Sequence, residues 1–195
     1  MPYRSLAQSW HDFYIVAGTA SATLVGLLFV SLSLHLRAVL ARPEVRGLAR
    51  ATLANFALVL MVALVLVIPQ DAQGAGIDLE VAGVVSAVIM IAPVVASIRS
   101  GTRTMRSRLL ILRFALSFLG FAGTLAGGIL LSNGSFIPAF AALAAATITL
   151  LIISLRNSWD LLVSVGEATM THEAAPPIAR PHFETAEGTR PSSRR

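Results

Sequence analysis

The chain has no cysteine and no lysine, and all 15 of its basic residues are arginine. Without cysteine, disulfides and thiolate metal sites are excluded. Charge of either sign is scarce: Asp, Glu, Lys and Arg make up 13% of the residues, against about 25% in typical soluble proteins. The runs Phe13 to Leu36, Ala51 to Gln70, Val81 to Ile98 and Phe114 to Leu155 contain none of the four. Proton pumps and many ion-coupled carriers place ionisable groups near mid-membrane, and these runs offer no such group. Familiar catalytic signatures are also missing: there is no G-x-S-x-G, no H-E-x-x-H, no Walker-type loop and no Gly-rich dinucleotide loop. The net charge of +5 has no soluble basic domain to carry it, so no nucleic-acid partner is expected, and no cofactor or metal either.

What is present is apolar sequence, 55% of the chain. A helix needs about 20 mostly apolar residues to cross the roughly 30 Å hydrocarbon core. The first three uncharged runs each match one span. The fourth matches two, interrupted by Ser132 to Pro138, whose Asn133-Gly134-Ser135 reads as a turn too close to the membrane to serve as a glycosylation acceptor. The fold class expected is therefore all-α: a polytopic membrane bundle of five transmembrane helices over 13–36, 51–68, 79–98, 109–131 and 136–155. Residues 1–12 form a tail, 156–170 a short amphipathic helix at the membrane surface, and 171–195 a disordered tail rich in Pro, Ser, Thr and charge. A cleaved signal peptide does not fit, because Arg4 is the sole early basic residue and the apolar run far exceeds about 7–15 residues.

The arginines sort by connection. Arg37, Arg42, Arg46 and Arg50 surround the first, Arg99, Arg103, Arg106 and Arg108 the third, and Arg156, Arg180, Arg190, Arg194 and Arg195 follow the last span. The second connection carries Asp71, Asp78 and Glu80 and no arginine. Basic residues in short loops stay cytoplasmic, which predicts the N-terminus outside and the C-terminus inside. Arg4, in a short tail, is the exception. Trp10, Phe13 and Tyr14 at one end and Trp159 at the other suit the two membrane interfaces. Pro69 should end the second helix and Pro138 sit in the first turn of the fifth. Asp78 and Glu80 should begin the third, and Pro93 should kink it.

Small residues recur at helical spacing. Inside lipid little hydrophobic force drives helices together, so contact faces collect Gly, Ala, Ser and Thr. Gly18, Ala22 and Gly26 form a stripe on the first span. On the fourth, Gly120, Thr124 and Gly128 form another, with Gly123 and Gly127 beside it. These two helices are expected inside the bundle or at a subunit interface. Asn55 is expected to bond across helices. The intramembrane hydroxyls Thr19, Ser21, Thr23, Ser86, Ser117, Thr124, Thr147 and Thr149 either bond locally or line a path. His11, Asp12, Asp71, Asp78 and Glu80 form a possible polar cluster on the outer side, and His35 sits at the inner end of the first span.

Trp10-x-x-Phe13-Tyr14, followed by Gly18-x-x-x-Ala22-x-x-x-Gly26-Leu27-Leu28-Phe29-Val30, resembles the opening of a family of small bacterial multi-pass inner-membrane proteins of uncharacterised function. Asn157 to Val163 (NSWDLLV) fits the same likeness. The resemblance covers about the first fifth of the chain and this one later piece. It implies a bacterial inner-membrane location and assigns no site residue. Three functions remain open. The leading one is a non-enzymatic accessory or scaffold subunit in the lipid bilayer, contacting another membrane protein or a second copy of itself. The alternative is a channel or carrier for a small neutral or weakly polar solute, favoured by a hydroxyl-lined path among the first, third and fourth helices. A membrane enzyme would need the outer polar cluster assembled.

Overall fold

The computed structural model describes residues 2–34, 36, 43–99 and 106–173. Five helices make up the architecture: α1 (Tyr3–Leu34), α2 (Pro43–Val67), α3 (Ala72–Arg99), α4 (Arg106–Ser132) and α5 (Phe136–Glu173). All five are long and apolar enough to cross a membrane, and the described residues contain no strand. The polarity of the bundle is inverted relative to a soluble protein. Its outside carries Ile15, Val16, Phe29, Val84, Val88, Leu119 and Ile152, while Ser21, Thr52, Asn55, Ser117, Thr124, Thr147, Ser154 and Asn157 are buried. Such a surface suits lipid and not water. The chain is a multi-pass membrane helix bundle.

Consecutive helices are antiparallel neighbours, and α5 returns to pack on α2 and, more lightly, on α1. The hub is α2, with 56% of its most apolar window inside the bundle, against 22% for α1. The first and fourth helices were expected inside the bundle or at a subunit interface; α4 packs on both of its neighbours, whereas α1 is the least enclosed helix. Phe56, Leu58, Val59 and Val62 give α2 bulky contacts towards several neighbours. α1 packs along one narrow face, through Tyr14, Ala17, Gly18, Ser21 and Leu28.

Three helix boundaries differ from the sequence reading. α1 starts at Tyr3, so the expected tail is helix, because Tyr3, Leu6, Ala7 and Trp10 recur at helical spacing and pack on the core. α3 starts at Ala72. Asp71 caps it, with Oδ2 accepting from the Gly74 amide at 3.1 Å while Asp71 O accepts from Ala75 N at 3.1 Å. Asp78 and Glu80 therefore lie more than a turn inside the helix, and Asp71 supplies the charge at its dipole. α5 continues unbroken through the expected surface helix. Its buried seam Leu143, Thr147, Leu150, Ser154, Asn157 and Leu161 keeps the same face inward past the expected end at Leu155.

The remaining ends behave as expected. Beyond Val67, the Gln70 Nε2 donates to Val65 O at 3.0 Å before Pro69-Gln70-Asp71 turns the chain. At the α4–α5 turn, Gly134 adopts φ 78°. Ser135 N bonds Leu130 O at 2.8 Å and Gly134 N bonds Leu131 O at 3.1 Å, a Schellman closure that favours glycine at that position. α3 remains helical through Pro93. His35, the arginines of 37–42, Arg103 and the tail 174–195 lie outside the described residues.

Candidate functional site

Two polar regions sit at opposite ends of the bundle. The first surrounds the start of α1. Here the aromatic opening also forms a clasp between helices. Trp10 stacks on Phe140 with ring centroids 6.4 Å apart, Tyr3 tilts against Phe136 at 5.7 Å, and Tyr14 lies 6.3 Å from Phe140. The Tyr14 hydroxyl reaches Phe140 O at 3.5 Å, a long contact. These rings fasten α1 to the first turns of α5. Phe136 and Phe140 were not singled out from sequence, although their four-residue spacing opposite the Trp10 cluster was the available signal.

Beside the clasp lies an open cleft of about 590 Å³, lined by Tyr3, Arg4, Gln8, His11, Gln70 and Asp71 over a floor that includes Leu66 and Val67. It brings together only part of the expected outer cluster. His11 and Asp71 share the cleft. Asp12 projects into the surroundings with its side chain fully exposed, 3.6 Å from His11 Nδ1. Asp78 is exposed on α3. Glu80 turns towards α4, where the Ser132 hydroxyl donates to its Oε1 at 2.9 Å, with Gly128 O a second acceptor at 3.1 Å. Asp71 is committed to capping α3. The five residues are therefore dispersed over three directions, and no three His, Asp or Glu side chains converge among the described residues.

The second region is buried nearer the α4 N-terminus. Asn55 Nδ2 donates to Ser117 Oγ at 2.9 Å, linking α2 to α4. Ser21 on α1 donates to Phe56 O at 2.7 Å, linking α1 to α2. Thr52, Ser154 and Asn157 are buried at similar depth. The level follows from the antiparallel packing of α4 and α5: Gly120 faces Leu150, so Ser117 and Ser154, each one turn nearer the same end, fall at the same level. Asn157 follows one turn later on α5, and Thr52 one turn before Asn55 on α2. The polar interior thus belongs chiefly to α2, α4 and α5, not to the first, third and fourth helices. Thr19 and Thr23 face outward, and Ser86 and Thr149 are half-buried. Ser154 and Asn157 went unnoticed in the sequence because they fall at and beyond the expected end of the last span.

The glycines divide by partner. A methyl group added at Gly120 would meet Leu150 Cγ at 2.6 Å, at Gly123 the Ala146 Cβ at 3.1 Å, and at Gly127 the Leu143 Cγ at 2.5 Å, so these three bring α4 close to α5. Gly128 faces the other way: its added Cβ would lie 2.8 Å from Gly76 O on α3. Gly76 was not singled out, since its segment reads as a connection. On α1, Gly18 meets Ala63 Cβ at 2.8 Å, whereas Gly26 meets nothing within 4 Å and Ala22 is exposed. Comparison with family models, curated proteins and solved structures found no match in any of the three.

Proposed function

We propose that this chain is a non-enzymatic accessory or scaffold subunit that works through helix contacts in the membrane. The observation that carries this reading is the outer face of α1. Ala22 and Gly26 stand four residues apart on a helix surface that no other described residue covers, and Gly26 has no neighbouring atom within 4 Å. Small residues at that spacing allow close backbone approach between membrane helices, and they gain nothing when facing lipid alone. Another membrane protein or a second copy of the chain is the partner this face suits. Gentle extraction from the native membrane, followed by measurement of native mass and subunit composition, tests it. A stoichiometric second protein or a discrete homo-oligomer is expected. A lone monomer would overturn the reading.

The buried polar seam of α2, α4 and α5 favours one alternative, a path for a small neutral or weakly polar solute. Liposome swelling assays with small polyols read it directly. The location proposed is a bacterial inner membrane, with the N-terminus outside and the C-terminus inside. As the chain has no native cysteine, single cysteines placed at Gln73 and at Ser158 give a clean labelling test. Gln73 should react with a membrane-impermeant maleimide in intact cells, and Ser158 only after lysis.

A further inference from the structure

Four buried oxygens in the interior have no hydrogen-bond partner among the described residues: Asn55 Oδ1, Thr147 Oγ1, Ser154 Oγ and Asn157 Oδ1. Their residues are at most 2% exposed. Unpartnered polar atoms at such depth are rare and costly. The hydroxyls have a local remedy that they do not take. Thr52, Thr124 and Thr149 each donate to the carbonyl four residues earlier, at 2.8, 3.0 and 2.7 Å. Ser154 could do the same to Leu150 O, yet its Oγ stays free.

Three of the four fall within about one helical turn of the same level. Ser154 lies level with Ser117, Ser117 is bonded to Asn55, and Asn157 is one turn along α5 from Ser154. Exchanging the oxygen and nitrogen of the Asn55 amide would not remove the problem, because one arm of its fork binds Ser117 and the other is left over. Two amide oxygens and one hydroxyl form a neutral, oxygen-rich set, with the Asp160 carboxylate one turn further along α5. Internal water typically makes about three hydrogen bonds to buried groups.

We infer that Asn55, Ser154 and Asn157 form a binding site for an internal water molecule between α2, α4 and α5. The water donates to the two amide oxygens and accepts from the Ser154 hydroxyl. Thr147 stands two turns away on α5, about 10 Å along the axis, and is not part of this set. The site is independent of what α1 contacts, so it stands whether or not the accessory reading holds.

The test exploits composition: Asn55, Asn133 and Asn157 are the only asparagines in the chain. Protein labelled with ¹⁵N-asparagine in detergent micelles should therefore give three side-chain amide pairs, assigned by single substitution, with exposed Asn133 as the solvent-exchanging control. Rotating-frame cross-peaks from a long-lived water are expected at both Asn55 and Asn157, and their absence at either residue overturns the shared site. Thermal unfolding of Ser154→Ala is the second readout. A hydrated site loses a hydrogen bond, and Tm should fall by about 2–4 °C for roughly 1 kcal/mol. In a dry site the same change removes an unpaired hydroxyl, so an unchanged or raised Tm would also overturn the inference.

Discussion

α4 and α1 carry the same kind of small-residue stripe and use it differently. On α4 every stripe glycine meets a neighbour: Gly120, Gly123 and Gly127 meet α5, and Gly128 meets α3. On α1 the stripe starts in contact at Gly18 and then leaves the bundle, so that Ala22 is exposed and Gly26 touches nothing. The cause is geometric. Four residues turn an α-helix by 400°, so an i, i+4 stripe drifts about 40° per step around the helix. α4 has neighbours on both sides to receive the drift, while α1 packs along one face, which passes through Tyr14, Ala17, Gly18, Ser21 and Leu28. A spacing that brings helices together in one place is left unoccupied in the other.

The comparison breaks most sharply at the α3–α4 crossing. An added Cβ at Gly76 would run into Ser132 Oγ and lie 2.9 Å from both Gly128 O and Ser132 N. Backbone atoms cannot step aside, so Gly76→Ala and Gly128→Ala should each cost about 1–3 kcal/mol, measured by steric-trap or thermal unfolding in bicelles. Adding Ser132→Ala to Gly76→Ala should not restore stability, because the backbone contacts remain. If it does, the crossing is looser than the distances imply.

Gly127→Ala should follow, with a loss at the lower end of that range, since Leu143 is a side chain yet fully buried and has little room to rotate away. The Asn55–Ser117 bond should contribute about 0.6 kcal/mol, the usual worth of one interhelical bond in a membrane, to the loss on Asn55→Ala. A Ser117→Ala double-mutant cycle isolates that term, and a coupling near zero would remove the bond from the account. The one change of opposite sign is Gly26→Ala. With open space around it, alanine should stabilise the isolated bundle by up to about 1 kcal/mol through helix propensity. Gly26→Leu, which shares that propensity gain, should not destabilise the isolated chain, while lowering the native mass of the extracted complex. A loss of stability without a change in native mass would place Gly26 inside the bundle and reverse the comparison.

Much of this architecture was legible beforehand. Four uncharged apolar runs, the last long enough for two spans, became five helices long enough to cross a membrane, Asn133-Gly134-Ser135 became a turn, and Asn55 bonded across helices as a polar residue in lipid should. Helix ends were less legible. Asp71 looked like one acid among several on a loop, but it caps α3 through the Gly74 amide. Trp10 and Tyr14 read as residues for the water–lipid boundary, and their contact with Phe140 was not visible. In each case the side chain's chemistry suited two roles, and the choice depended on a partner distant in the chain.

Hydrophobicity is additive along the sequence, so the sequence by itself determined the number of spans, their approximate limits and the apolar exterior. Contact is not additive in this way. Which face of each helix turns inward depends on neighbours brought together from far along the chain. Only the tertiary structure made α2 the hub, set Gly76 against Gly128, dispersed the outer acids, left Gly26 uncovered and gathered Asn55, Ser117, Ser154 and Asn157 at one depth. The physical reason is that lipid rewards every apolar residue alike, whereas close packing and hydrogen bonds reward particular pairs.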